Sequence, residues 1–233
     1  MNTQKIMRYA AIGSILTVAA VSIVVSANDA DGVEQYSTVD DVYKGAGWAA
    51  FTDYGVYSID VNQTYVITYG STTARTKLQP MVEKIATQLR GLGFKVFNTT
   101  AVETIPATGC LPKNHIAIGI KYRPTGKSGA SQGLPCYNTN DHSLFSGRVW
   151  VNSEYKQLGG TWVISDKLWK NLFPHEFGHA FGLAHAPAGV KNAAGDTPAM
   201  TAPNGGFNTA SKYGTFTSWD LAGLAQLKEN YDA

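Results

Sequence analysis

The chain has 233 residues, 44% of them hydrophobic, with 19 basic and 17 acidic side chains. That length suits one domain with a core large enough not to depend on disulfides. The near balance of charge excludes the basic patch that nucleic acid or an anionic membrane surface would require.

The first segment reads as a targeting signal. Lys5 and Arg8 precede an apolar stretch from Tyr9 to Val25, and Val25-Ser26-Ala27 supplies the small residues that signal peptidase reads. Residues 1–27 are therefore expected to be a signal peptide cut after Ala27, and the protein to be secreted. The apolar stretch is short for a membrane span, so an uncleaved anchor is the weaker alternative. Cleavage leaves 17 basic against 17 acidic residues. A formally neutral monomer with no stable membrane association is the expectation.

Residues 28–60 open with the polar, acidic stretch Asn28–Asp41 and continue through Gly45, Gly47, Trp48, Phe51, Tyr54 and Tyr57 without helical period. They form an N-terminal extension, either a short propeptide or a segment laid across the domain, which is placed at 61–233. Thr64–Tyr69 is β-branched and aromatic and reads as a strand. Across Ala74–Leu92, Leu78, Met81, Val82, Ile85, Ala86 and Leu89 recur at intervals of three and four, an amphipathic helix ended by Gly91 and Gly93. Phe94–Asn98, His115–Tyr122, Gly147–Ser153 and Thr161–Ser165 complete five strands, with Thr125–Gly133 read as a Gly/Ser-rich loop. The helix at 74–92 is long enough to cross over between parallel strands. The fold class is thus α+β, a mixed five-stranded sheet with long helices. Cys110 and Cys136 are the only cysteines. In an exported protein they are expected to pair, closing a loop of roughly 25 residues worth on the order of 3 kcal/mol.

From His175 the chain reads H-E-x-x-H-x-x-G-x-x-H, through Glu176, His179, Gly182 and His185. Residues four apart on a helix share one face, so His175 and His179 project together. Gly182 can take the left-handed conformation that ends a helix, letting the chain return with His185. Three neutral imidazoles leave a tetrahedral zinc with one open position, the pattern of a catalytic rather than a structural site. Glu176 is placed to act as general base toward water at the metal without ligating it. Pro174 directly precedes the motif. Either the helix starts there, or a helix from Asp166 is kinked at Pro174; the helical spacing of Leu168, Trp169, Leu172 and Phe173 favours the second.

These eleven residues resemble the metzincin metalloproteases, and their wording is most similar to the matrixin branch. The resemblance implies a methionine turn downstream, and Met200 is the only methionine after the motif. It also implies the C-terminal helix pattern at Ser218–Ala225, with Asp220 bonding the backbone beneath the turn; a carboxylate serving the helix dipole is the equal alternative. The implied domain is metzincin-like, with a twisted mixed sheet, a crossover helix, a zinc-binding active-site helix, a Met-turn and a C-terminal helix. Departures are visible: Ala186 and Thr201 stand where matrixins usually have Ser and Tyr. No cysteine precedes Cys110, so there is no cysteine switch; Asp40 or Asp41 is the expected stopper if the enzyme is latent.

Outside the motif, His115 and His142 read as ordinary hydrogen-bonding histidines. The Asn138–His142 loop has the oxygen ligands that suit calcium but not the spacing of a calcium loop. The strand 147–153, with Arg148, is expected to form the upper rim of the cleft, Thr201–Phe207 a wall of the pocket beyond the metal, and Tyr213 an approach to the oxyanion. The function read from the sequence is a secreted zinc-dependent endopeptidase acting on protein or peptide substrates. The alternative is a catalytically silent extracellular zinc-containing binding module.

Overall fold

Alternation of buried and solvent-facing side chains, interrupted by one long amphipathic helix, sets up the sheet. A computed structural model describes residues 56–155, 166–186, 190, 197–201 and 214–232. Strand β1 (Thr64–Tyr69) is followed by helix α1 (Thr72–Gly91), β2 (Lys95–Val102), β3 (His115–Lys121), β4 (Gln132–Tyr137) and β5 (Leu144–Asn152). Helices α2 (Asp166–Ala180) and α3 (Ser218–Asp232) come last. The five strands lie in the order β2-β1-β3-β5-β4, with β4 antiparallel to β5 and the other pairs parallel.

Helix α1 makes the crossover between β1 and β2. The Ser71 side chain accepts from the Ala74 N–H at 3.0 Å, satisfying one of the free amides of the first turn. The predicted stripe of Leu78, Met81, Val82, Ile85, Ala86 and Leu89 is buried against the sheet. Among the described residues no helix is long and apolar enough to cross a membrane.

From Leu172 onward helix α2 is buried on all sides, with different residues toward the core and toward the site. Phe173, Phe177 and Phe181 fall at intervals of four and enter the core, where Phe181 meets Tyr65 and Phe94 edge-on at 5.2 and 5.6 Å between ring centroids. His175 and His179 lie two residues out of phase with that stripe, roughly 200° around the helix, and so emerge on the far side. The helix runs through Pro174 from Asp166, as the spacing before the proline predicts.

Two expectations change. The fifth strand is β4, inside a stretch whose first residues read as loop. Its sequence Gln-Gly-Leu-Pro-Cys-Tyr lacks β-branched residues, but an edge strand tolerates a proline because one side needs no donor. The expected strand at Thr161–Ser165 lies outside the described residues. Consequently β5 is not the rim: it is paired on both sides, by β3 and β4. Arg148 on β5 donates to the carbonyls of Pro106 and Gly109 at 3.1 and 2.9 Å. Among the described residues the outer strands of the sheet are β2 and β4.

Val56–Asp60, assigned from sequence to the N-terminal extension, are built into the core, with Val56 and Ile59 fully buried. The signal segment, Asn28–Asp41 with Asp40 and Asp41, and Tyr213 lie outside the described residues.

The disulfide Cys110–Cys136 is present and ties the turn before β3 to the end of β4 across 26 positions. Cys136→Ser is expected to lower stability by on the order of 3 kcal/mol through greater freedom of the unfolded chain. Denaturant titration under oxidising conditions measures it, and metal content should not change because neither cysteine belongs to the His175, His179 and His185 cluster. Equal midpoints for the two proteins would contradict the expectation.

Candidate metal centre

Helix α2 brings two of the motif's histidines together by periodicity alone. The third arrives because the helix stops at Gly182, whose φ of 102° only glycine adopts without strain. The Gly182 N–H returns to the His179 carbonyl at 3.0 Å and the Leu183 N–H to Gly178 at 2.8 Å. The Nε2 of His179 then lies 3.1 Å from that of His175 and 3.2 Å from that of His185. Four-coordinate ligands at about 2.0–2.1 Å from a zinc ion sit about 3.3 Å from one another, so the spacing is close to a tetrahedral set. Among the described residues this is the one cluster of histidine, cysteine or carboxylate groups that could hold a metal.

The protonation pattern can be deduced. His175 Nδ1 is 2.8 Å from the Ala199 carbonyl and His179 Nδ1 is 2.7 Å from the Leu183 carbonyl. A carbonyl oxygen only accepts, so each Nδ1 carries the proton. In the neutral rings, both Nε2 atoms therefore present lone pairs, and they face each other. Such a pair repels unless a cation lies between, which is the chemistry of a metal site with its ring orientations fixed from behind. Burial supports neutrality, bringing the His175 imidazole down to about 4, with the Ala199 carbonyl opposing. His179 is lowered as well, first by burial and then by the other two histidines.

Glu176 is buried beside this cluster. Burial pushes its carboxyl up to about 7, and a hydrogen bond from the Gly133 backbone N–H pulls the other way. Gly133 sits on edge strand β4 directly over α2. A Cβ there would fall on the Glu176 carbonyl oxygen, so only glycine lets strand and helix approach this closely. Gly147 on β5 meets the Ala180 carbonyl in the same way. Neither glycine was singled out from the sequence; a glycine inside a strand is the signal that would have pointed to them.

The segment around Met200 forms a buried turn beneath the histidines. Thr201 N–H bonds the Pro198 carbonyl at 3.2 Å, and the Met200 sulfur packs against Gly178. Two of its carbonyls face the site: that of Ala199 holds His175, and that of Met200 accepts from the Ala186 N–H at 2.8 Å, just after His185. Asp220, fully buried at the start of α3, holds the turn in place. Its carboxylate accepts from Ala199 N at 2.9 Å, Met200 N at 3.1 Å, Thr217 N at 2.8 Å and Thr217 Oγ1 at 2.6 Å. Both sequence readings of Asp220 are therefore realised at once, as turn support and as a first-turn carboxylate. Burial raises its carboxyl above the usual range, and the four donors oppose that shift.

The remaining histidines stand apart from the cluster. His115 pairs its Nδ1 with Glu103 at 3.1 Å, and His142 stacks on Tyr137 with ring centroids 5.3 Å apart. Asp141 in the Asn138–His142 loop accepts from Ser143 N and Oγ at 2.9 and 2.7 Å, a local turn bond. Of the expected pocket wall at Thr201–Phe207, only Thr201 is among the described residues.

The buried imidazoles set an acid sensitivity for the metal-free protein. An unfolded histidine titrates near 6.5, but folded His175 titrates near 4 and His179 is also depressed. Between those values the unfolded chain binds more protons, so stability present above pH 6.5 is lost as pH falls toward 4. Glu176 acts in the opposite sense. Its folded value near 7 means its contribution is present below about 4.5 and lost as pH rises through 7. Asp220, also raised by burial, acts in the same sense as Glu176, and the expectation of a net loss on acidification rests on both imidazoles being depressed together. Thermal melts of the chelator-treated protein should show a falling midpoint from pH 7 to 4.5; a level or rising one would contradict this.

Residues 120–214 match the model of the Peptidase M66 family. That span holds β4, β5, α2, the three histidines, Glu176 and Met200, and it ends before α3 and Asp220. No curated protein and no solved structure matches the chain. The match supports a metallopeptidase, and with it protein or peptide substrates.

Proposed function

We propose that this protein is a secreted zinc-dependent endopeptidase of metzincin type, closest to the matrixin branch in its motif, with Glu176 as general base. The observation that carries the reading is the convergence of three Nε2 atoms, two of them on rings whose Nδ1 protons are held by backbone carbonyls, beside a buried carboxylate. His175, His179 and His185 are the residues that would hold the ion. Zinc in such a set supplies Lewis acidity toward the scissile carbonyl and lowers the pKa of a coordinated water to about 7.

The protein's own groups do the rest. Glu176 takes a proton from the attacking water and passes it to the nitrogen of the leaving amine. A carboxyl brought up to about 7 can both accept and release a proton near neutrality. The Gly133 N–H orients that carboxylate, so the edge strand and the base are fixed together. The substrate lies along the outer edge of β4 as an added strand, its main chain supplying the hydrogen bonds that β5 supplies on the other side. The leader formed by Lys5, Arg8 and the apolar stretch to Val25 sends the protein out of the cell, where the disulfide persists. It acts as a monomer.

Incubation of the purified protein with casein tests the proposal. Hydrolysis that stops with a chelator and returns with zinc is the expected result. Full zinc loading with persistent inactivity would overturn it in favour of a binding module.

A further inference from the structure

The third ligand poses a problem the helix cannot solve. His175 and His179 are positioned by α2, but His185 lies beyond the helix on a chain that has just reversed at Gly182. Something must hold that reversal. The Ala186 bond to the Met200 carbonyl fixes the chain after His185. Before it, the Gly182 turn is covered by Val56, the first residue of the segment Val56–Asp60, and by Leu227.

This segment crosses three separate parts of the fold. Val56 is fully buried with its side chain over Gly182: a Cβ added at Gly182 would lie 2.8 Å from Val56 Cγ1 and 3.5 Å from Leu227 Cδ1. Tyr57 N–H donates to the His142 carbonyl at 2.8 Å, and Leu144 N–H donates to the Ser58 carbonyl at 2.8 Å, fastening the strap to the start of β5. Ile59 N–H donates to the Leu227 carbonyl at 2.9 Å, and Asn230 Nδ2 donates to the Tyr57 carbonyl at 2.9 Å, fastening it to α3. The strap is thus anchored to the start of β5 and to α3, and it packs a branched side chain onto the glycine at which the chain reverses.

We propose that Val56–Asp60 is a positioning strap for the third metal ligand, with Val56 the residue that seats the Gly182 turn and so delivers His185 to the cluster. The inference rests on the metal-site reading above. Its consequence for maturation is that any activating cut lies before Val56, because a cut within 56–60 would free the turn and weaken the site.

The experiment uses the full chain and compares Val56→Ala with Val82→Ala, the same truncation at another fully buried valine, on α1. Zinc affinity is measured by competition with a chelator, and the melting temperature is measured without metal. Both variants should melt lower. Only Val56→Ala should also bind zinc more weakly, by about 10–100-fold, the range seen when an outer support of a ligand is lost. Unchanged affinity in Val56→Ala, or an equal loss in Val82→Ala, overturns the strap as a positioning device. If Val56→Ala does not fold, Asn230→Ala removes the bond to the Tyr57 carbonyl together with a bond from Gln226 within α3, and Gln226→Ala is the control that removes only the second. A several-fold loss of affinity confined to Asn230→Ala supports the strap, and an unchanged value or an equal loss in Gln226→Ala overturns it. A native chain that takes up no zinc would overturn the metal site itself, an outcome distinct from zinc binding that ignores Val56.

Discussion

Glu176→Ala is expected to lower peptide hydrolysis by about 10²–10⁴-fold while the protein folds and takes up one zinc ion. The carboxylate is next to His175 in sequence but is not part of the converging nitrogen set, so its loss removes the proton carrier and leaves the ligands. Its burial makes the substitution tolerable to the fold. A carboxyl pushed up to about 7 by desolvation is held in place at a cost, and alanine relieves it. The Gly133 N–H loses its acceptor, which limits the gain. Turnover of a peptide substrate, zinc stoichiometry and melting temperature should be read on the same preparation. Native turnover in the variant would remove Glu176 from the mechanism.

His185→Ala should behave in the opposite way, losing metal first. It deletes one of three ligand nitrogens, and the remaining pair, 3.1 Å apart, holds the ion from one side only. The loss should exceed the roughly 10–100-fold that accompanies loss of an outer-shell partner. Activity then disappears with the metal and returns in part at high zinc. The metal-loaded native protein should also melt well above the variant at equal zinc, because binding energy adds to folding energy. Full stoichiometry at native affinity in His185→Ala would mean that the third nitrogen is not a ligand.

The contrast between these variants follows from which parts of the site belong to local sequence. The i, i+4 spacing of His175 and His179 and the glycine at 182 act within a few residues, so helix geometry and the left-handed turn are legible in the amino-acid order itself. The amphipathic stripe of α1 is legible for the same reason, its seven buried residues following a single period. Strands β1, β3 and β5 also stand out, being rich in the β-branched and aromatic residues that suit a pleated, buried surface.

Strand β4 does not stand out, because glycine, proline and the disulfide suit it to its place at an edge over a helix rather than to strands in general. Its pairing with β5 moves the edge proposed for the substrate from one strand to its neighbour, a change that depends on the order of strands in space. The supports of the ligands are equally invisible. Ala199 and Leu183 act through carbonyl oxygens, which every residue possesses, so no side chain marks them, and the Met200 carbonyl bonds Ala186 in a role its side chain does not announce. The same holds for the Gly133 N–H on Glu176, and for Val56, whose packing partner Gly182 lies 126 positions along the chain. Sequence by itself determined the ligand types, their spacing and the helix that carries two of them, because those are short-range consequences of backbone geometry. Only the tertiary structure decided which edge faces the site and what steadies the third histidine. Both depend on contacts between distant segments, and such contacts are specified by the packing of the whole core rather than by any local pattern.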